Sequence, residues 1–148
     1  MAATTPNMPG IDKLGTLASR YVNVDALPWK PTHWAGIDMK ILLEDPESGL
    51  LTALFRWAPG SELPYHEHVR VEQTWVLEGS FEDEEGECRA GQFVWRPQGS
   101  RHVARSPKGA LMIGFFLAPN TFFSDAQPSA QSAASKAGAS PASAWGVR

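Results

Sequence analysis

Three observations predict an all-β chain folded as a single sandwich or barrel. Between about Tyr21 and Phe123, short β-favouring runs follow one another at close intervals. The breaks between them are built from Pro, Gly, Asp and Ser, the residues whose backbone preferences reverse a chain. No long helix competes, since only Ile11, Leu14 and Leu17-Ala18 show helical spacing and Gly15 interrupts them.

In chain order the expected strands are 20–24, 37–43, 50–57, 63–68, 72–81, 87–89, 92–96, 102–105 and 110–117. Asp45-Pro46-Glu47-Ser48-Gly49 turns the second into the third, and Ala58-Pro59-Gly60 ends the third. Asp83-Glu84-Glu85-Gly86 makes a hairpin tip after 72–81. Arg96-Pro97-Gln98-Gly99 and Ser106-Pro107-Lys108-Gly109 bracket 102–105. The last run, 110–118, is nearly all apolar but about half the ~20 residues a helix needs to cross a bilayer, so it reads as a buried strand.

The ends are looser. Residues 1–19 form an N-terminal arm whose first ten residues include three Pro or Gly and are expected to fray. The barrel takes 20–123. From 124 to 148 Ala, Ser, Pro, Gly and Gln dominate, with Trp145 the exception, and a disordered tail is expected.

Length and charge exclude several function classes. A chain of 148 residues has room for one core and needs no disulfide staples. The single cysteine, Cys88, can form no internal bridge, which favours a reducing compartment and an inert strand thiol. Thirteen basic against sixteen acidic side chains leave a net charge of −3, and no basic stretch follows a phosphate backbone, so nucleic acid is not an expected partner. Residues 1–10 carry no secretion signal and no run spans a membrane, so a cytoplasmic protein is expected.

The chemistry concentrates in four side chains. His66 and His68 stand two apart, and on a strand residues i and i+2 share a face, so both imidazoles can reach one point. Imidazole nitrogen suits Zn, Fe, Ni, Cu or Mn. Glu72, arriving from the next strand, can add a carboxylate, and His102, returned by the Pro97 turn, can add a third imidazole. His33 matches no pattern and reads as a surface or packing residue, while the acidic run 82–87 reads as a solvated tip. Trp57, Trp75 and Trp95 fall within strands and are expected mostly in the core. Arg56, Arg96 and Trp95 are candidate substrate contacts. An inward arginine would hold a carboxylate or enolate oxygen, whereas an outward one would pair across strands or pack on an indole.

The spacing resembles the cupin superfamily, the RmlC-like barrels. One motif runs Gly60, five residues, His66-Glu67-His68, three residues, Glu72, six residues, Gly79. The second runs Gly91, five residues, Pro97-Gln98-Gly99, two residues, His102, then Ser106 where the family has Asn. That Asn is not usually a ligand, so the departure touches a local turn contact. The stretches 74–81, 90–97 and 99–102 resemble acetylacetone-cleaving dioxygenases and the zinc-holding cupin-like domain of the anti-sigma factor ChrR. The resemblance, covering about 35–123, implies a single cupin β-barrel, a double-stranded β-helix or jelly roll. It implies His66, His68, Glu72 and His102 as metal ligands, with one or two positions left for water, substrate or dioxygen. In some cupin oxygenases three histidines suffice, and Glu72 is then a structural carboxylate or a catalytic base. No helical zinc segment is read ahead of the barrel, so capture of a sigma factor is not expected.

Two kinds of function follow. An Fe(II)-dependent dioxygenase would cleave a carbon–carbon bond in a small β-diketone-like or hydroxy-ketone compound, with dioxygen as co-substrate. Alternatively Zn, Ni or Mn would serve a non-redox isomerase or decarboxylase, or brace a small-ligand sensor. By analogy with cupins a homodimer paired through sheet edges is expected, with 21–24 as an exchange element.

Overall fold

Ten β-strands supply nearly all the regular structure of residues 2–123, the part of the chain that the computed structural model describes. The expected tail at 124–148, Trp145 included, lies outside the described residues. The strands are β1 (Lys30–Pro31), β2 (Ile37–Asp45), β3 (Leu50–Trp57), β4 (Ser61–Glu67), β5 (Glu72–Glu82), β6 (Glu87–Arg89), β7 (Phe93–Arg96), β8 (Arg101–Ser106), β9 (Ala110–Phe116) and β10 (Thr121–Phe122). All pairings are antiparallel, in the order β1-β2-β3-β9-β5-β8-β4-β10, with β6 and β7 added on β5.

β5 is the pivot. Its first half pairs with β7 and β9, and its last residues turn to β6 and β8, so the sheet curls into a half-barrel and encloses one face. A bulge at Val76/Glu78 assists the bend. Inside, Ile37, Trp57, Val76, Phe81, Ala104 and Met112 form one buried cluster, and Met39, Ile41, Leu51 and Ala53 a second. Each large side chain in such a core contributes about 1.5–3 kcal/mol. Gly79 adopts φ +68, and a Cβ there would collide with the Gly109 carbonyl, so only glycine closes the strands at this point.

Eight of the expected strands form with small shifts at their ends; 20–24 does not. There the chain makes a short 3-10 turn, Val24–Ala26, whose first turn is capped by the Asn23 side chain. The free edge of β2 is already taken by Lys30–Pro31, beside Asp38 and Met39, and by Thr4, which bridges to Glu44. Residues 20–24 have no ladder left to join. The first residues are likewise pinned and not frayed: Thr4 exchanges two backbone hydrogen bonds of 2.8 Å with Glu44, and buried Thr5 donates its hydroxyl to the Leu42 carbonyl at 2.7 Å. Of the helical spacing at 11–18 only the turn Ile11–Lys13 remains. No helix among the described residues is long and apolar enough to cross a membrane.

The wall that carries chemistry is β4 against β8. His66 faces His102 and Glu67 faces Arg101 across the two strands. Pro64, which has no N–H to give a ladder, sits where the register shifts between Leu63 and His66. Glu67 and Arg101 point outward and form a 2.6 Å hydrogen-bonded pair.

Candidate metal centre

Three buried histidines meet at one point inside the half-barrel. One nitrogen from each of His66, His68 and His102 lies within 4.8 Å of the other two. His66 arrives from β4, His102 from the facing position on β8, and His68 from just beyond β4, where its backbone N–H bonds Ser100.

The hydrogen bonds fix each ring's tautomer. His66 donates Nδ1–H to the Pro64 carbonyl at 2.7 Å. Ser100 spends its own hydroxyl proton on the Pro97 carbonyl, so His68 Nδ1–H donates to Ser100, to Oγ at 2.9 Å and to the carbonyl at 3.1 Å. His102 donates Nδ1–H to Asp83 Oδ2 at 2.7 Å. Every Nε2 therefore keeps its lone pair and turns it inward.

Electrostatics keeps these rings neutral. Burial lowers His66 to about 4, with the charges of His102 and Arg96 adding to the effect. Burial, with the neighbouring imidazoles and Arg96, lowers His68 to about 3. His102 is also lowered, by burial and Arg96, against the opposing pull of Asp83. Two neutral acceptors facing each other repel, yet His66 Nε2 and His102 Nε2 stand 3.1 Å apart, and buried His68 Nε2 has no hydrogen-bond partner. A divalent cation shared by the three nitrogens satisfies all of them. The residues present fit a metal ion.

Glu72 stands beside this set. Its Oε2 is 3.4 Å from His68 Nε2 and accepts a 2.8 Å hydrogen bond from Asn120 Nδ2. Burial pushes its carboxyl up to about 7, against the pull of Asn120 and Arg96. The cluster that closes within 4.8 Å consists of the three histidines, with Glu72 at its margin. His66, His102, Glu72 and Asn120 line one end of a cavity of about 70 Å³, whose remaining walls include Trp34, Phe55, Phe81, Met112, Phe116 and Phe122. Such a space takes a molecule of a few heavy atoms.

The other expected contacts are placed differently. Arg56 turns outward, pairs with Asp38 at 2.9 Å and stacks over Trp29 at 4.2 Å. Trp95 and Trp75 are exposed on the outer face, and His33 is exposed in the segment between β1 and β2. Neither Arg56 nor Trp95 lines the cavity, because strand alternation gives the inward positions to their neighbours. Arg96 is buried but stands one layer behind His102, with Nη1 2.7 Å from Asp83 Oδ2. Cys88 is buried, and burial raises its thiol. Ser106, in place of the pattern's Asn, donates its hydroxyl to the Ser80 carbonyl at 2.7 Å.

Asp83 corrects the reading of 82–87 as a solvated tip. Its side chain is 2% exposed and bridges His102 and Arg96 through one oxygen. The other oxygen accepts the backbone N–H groups of Glu85 and Gly86. Burial alone would raise Asp83, but His102, the Glu85 N–H and Arg96 outweigh it and hold the carboxyl below its ordinary value. An ionised carboxylate on the far nitrogen of a ligand histidine fixes the ring and strengthens it as a ligand. Asp83, Ser100 and Asn120 carry no motif spacing; the Asp-Glu-Glu-Gly turn signal locates Asp83 without saying where its carboxylate points.

The family profile described as the ChrR cupin-like domain matches residues 17–120. The chain belongs to that family. Among solved structures, a candidate acetylacetone dioxygenase from Methylibium petroleiphilum PM1 is 27% identical, with a TM-score of 0.68 over 79% of this chain and 90% of that one. The acetylacetone dioxygenase of Acinetobacter johnsonii gives 0.65 at 23% identity over 76% and 83% of the two chains. ChrR bound to SigE from Rhodobacter sphaeroides gives 0.54 at 23% identity, over 64% and 50%. At such identities the latter two show the fold alone. No curated protein is a significant match. As a member of the cupin superfamily, the chain has the half-barrel and the inward histidines in the arrangement its two motifs imply.

Proposed function

We propose that this cupin is an Fe(II)-dependent dioxygenase that cleaves a carbon–carbon bond in a small β-diketone-like or hydroxy-ketone substrate. The observation that carries the reading is three neutral imidazoles aimed at one point beside a lone carboxyl in a small apolar cavity. Likeness to the Methylibium protein supports it.

His66, His68 and His102 would hold the ion through Nε2. Bound Fe(II) supplies a Lewis acid for a chelating substrate and an electron source for dioxygen. Glu72 does the proton work. Standing 3.4 Å from His68 Nε2, it takes the acidic proton of a β-dicarbonyl at a carboxylate oxygen, while Asn120 fixes its orientation. Phe55, Phe81, Met112 and Phe116 exclude water and accept the alkyl ends of the substrate.

The test uses protein prepared without affinity nickel, analysed for metal and assayed for oxygen uptake after Fe(II) loading, on a panel of β-diketones and hydroxy-ketones. Substrate-dependent uptake is the expected result. Bound zinc or nickel with no uptake on any compound would move the reading to a non-redox isomerase or decarboxylase, or to a small-ligand sensor. Glu72→Gln is expected to keep the metal and lose about 10²–10⁴ in turnover, as a base would; loss of metal would make Glu72 a ligand instead.

A further inference from the structure

The cavity is polar at its metal end and largely apolar beyond it. His66, His102, Glu72 and Asn120 mark that end, and Thr32 spends its hydroxyl on the Ile37 carbonyl at 2.7 Å. Trp57 belongs to the other end of the wall, because the register of β9 puts Ala110 beside Trp57 and Phe116 beside Glu72. Trp57 is 6% exposed and packs on Phe81, with ring centroids 6.2 Å apart. Three buried side-chain nitrogens have no hydrogen-bond partner among the described residues. His68 Nε2 belongs to the metal point, and Arg96 Nε lies in the layer behind His102. Trp57 Nε1 is the one left to the apolar end of the cavity. An indole N–H can only donate, and one shut away from water with no acceptor bears the full cost of its desolvation. Buried tryptophans ordinarily place that N–H on a partner.

We infer that Trp57 Nε1–H donates to a substrate oxygen other than the two that chelate the metal. The inference rests on the chelating-substrate reading above and narrows it to a β-diketone-like compound whose alkyl arm carries a third, neutral oxygen. No acceptor of the described residues reaches this N–H, so its partner comes from what fills the cavity that Trp57 helps to wall. Phe55, Phe81 and Met112 give the arm an apolar path. No Lys or Arg lines the cavity, whereas the Glu72 carboxyl does, so a carboxylate at the end of the arm would meet no counter-charge. The acceptor is therefore an ether, hydroxyl or ketone oxygen. A purely alkyl arm would seal the N–H away unpaired, and a site built to hydrogen-bond a group rejects the analogue that lacks it. Trp57 thereby sets which arm is accepted and leaves metal binding and proton transfer to the other end.

The test measures binding without turnover, by calorimetry on the full chain loaded with Fe(II) and kept free of dioxygen. The probes are β-diketones extended at one end by successively longer methoxyalkyl arms, each matched to the compound with CH2 in place of the ether oxygen. At one arm length the ether should bind about 3–10-fold more tightly than its match, the worth of one neutral hydrogen bond. Trp57→Phe should bring that ratio to about one with metal content unchanged. With nitrogen-15-labelled tryptophan, one indole N–H signal of the unaltered protein should move downfield with the preferred ether and less with its match, and this signal should be missing from Trp57→Phe. Equal affinities at every arm length overturn the inference with no variant needed, since the N–H then finds water or nothing in both complexes. So does a preference that survives in Trp57→Phe, or an ether that is preferred while every indole signal stays in place. Failure of every diketone to bind overturns the chelating reading and this inference with it. Selective binding without oxygen uptake overturns the dioxygenase reading alone and leaves the role of Trp57 standing.

Discussion

Arg56 and Arg96 each lie at the end of an apolar strand and each meets an aspartate, but on opposite faces of the wall. Outside, Arg56 and Asp38 are 50% and 34% exposed, and the pair contributes about 0–1 kcal/mol. Inside, Arg96 and Asp83 are 11% and 2% exposed, and the same aspartate oxygen also accepts the hydrogen bond of His102 Nδ1–H. Identical pairing chemistry is a surface detail in one place and the support of the metal centre in the other. Burial and the third partner make the difference.

The contrast breaks most sharply at the histidine that the inner pair supports. His102→Ala should drop bound metal well below one per chain by elemental analysis; full retention would remove it from the ligand set. Next comes Asp83→Ala, which strands a buried guanidinium and should cost about 3–5 kcal/mol in urea unfolding of the metal-free protein. It should also weaken metal binding about 10–100-fold in chelator competition.

Acid sharpens the comparison further. In the fold His66 sits at about 4 and His68 at about 3, below their ordinary 6.5, so the unfolded chain takes up protons first. Their contribution is complete above pH 6.5 and is lost as pH falls from there, toward 4 for His66 and toward 3 for His68. Glu72 runs the other way: raised from 4.5 to about 7, its contribution is present below 4.5 and lost as pH rises through about 7. The imidazoles outnumber the carboxyl, so the urea midpoint of the metal-free protein should fall between pH 6.5 and 4. Arg56→Ala should do least, shifting stability by under about 1 kcal/mol and leaving metal affinity alone. A larger loss would mean that the outer pair matters as much as the inner one.

Eight strands and the three histidines were legible because their signals are local: turn residues at the breaks, a His-x-His on a strand, a His after a Pro-Gln-Gly turn. β1 and β10, two residues each, are too short to leave a pattern. The run at 20–24 has strand composition but no partner, a fact of the sheet edge that composition does not record. Asp83 and Asn120 escaped because turns and chain ends aim their side chains by tertiary context. Arg56 and Arg96 could not be told apart because strand composition does not say which face looks inward.

The outward pair Glu67–Arg101 touches no ligand, yet it acts as an alignment mark. Side chains alternate along a strand, so sliding β4 by one residue would turn His66 out to solvent and carry Glu67 into the apolar interior. The cross-strand attraction, worth roughly 0.2–1 kcal/mol, favours the single pairing in which His66 faces His102. A one-residue slip would therefore part the imidazoles of His66 and His102, which share the inner face only in this register.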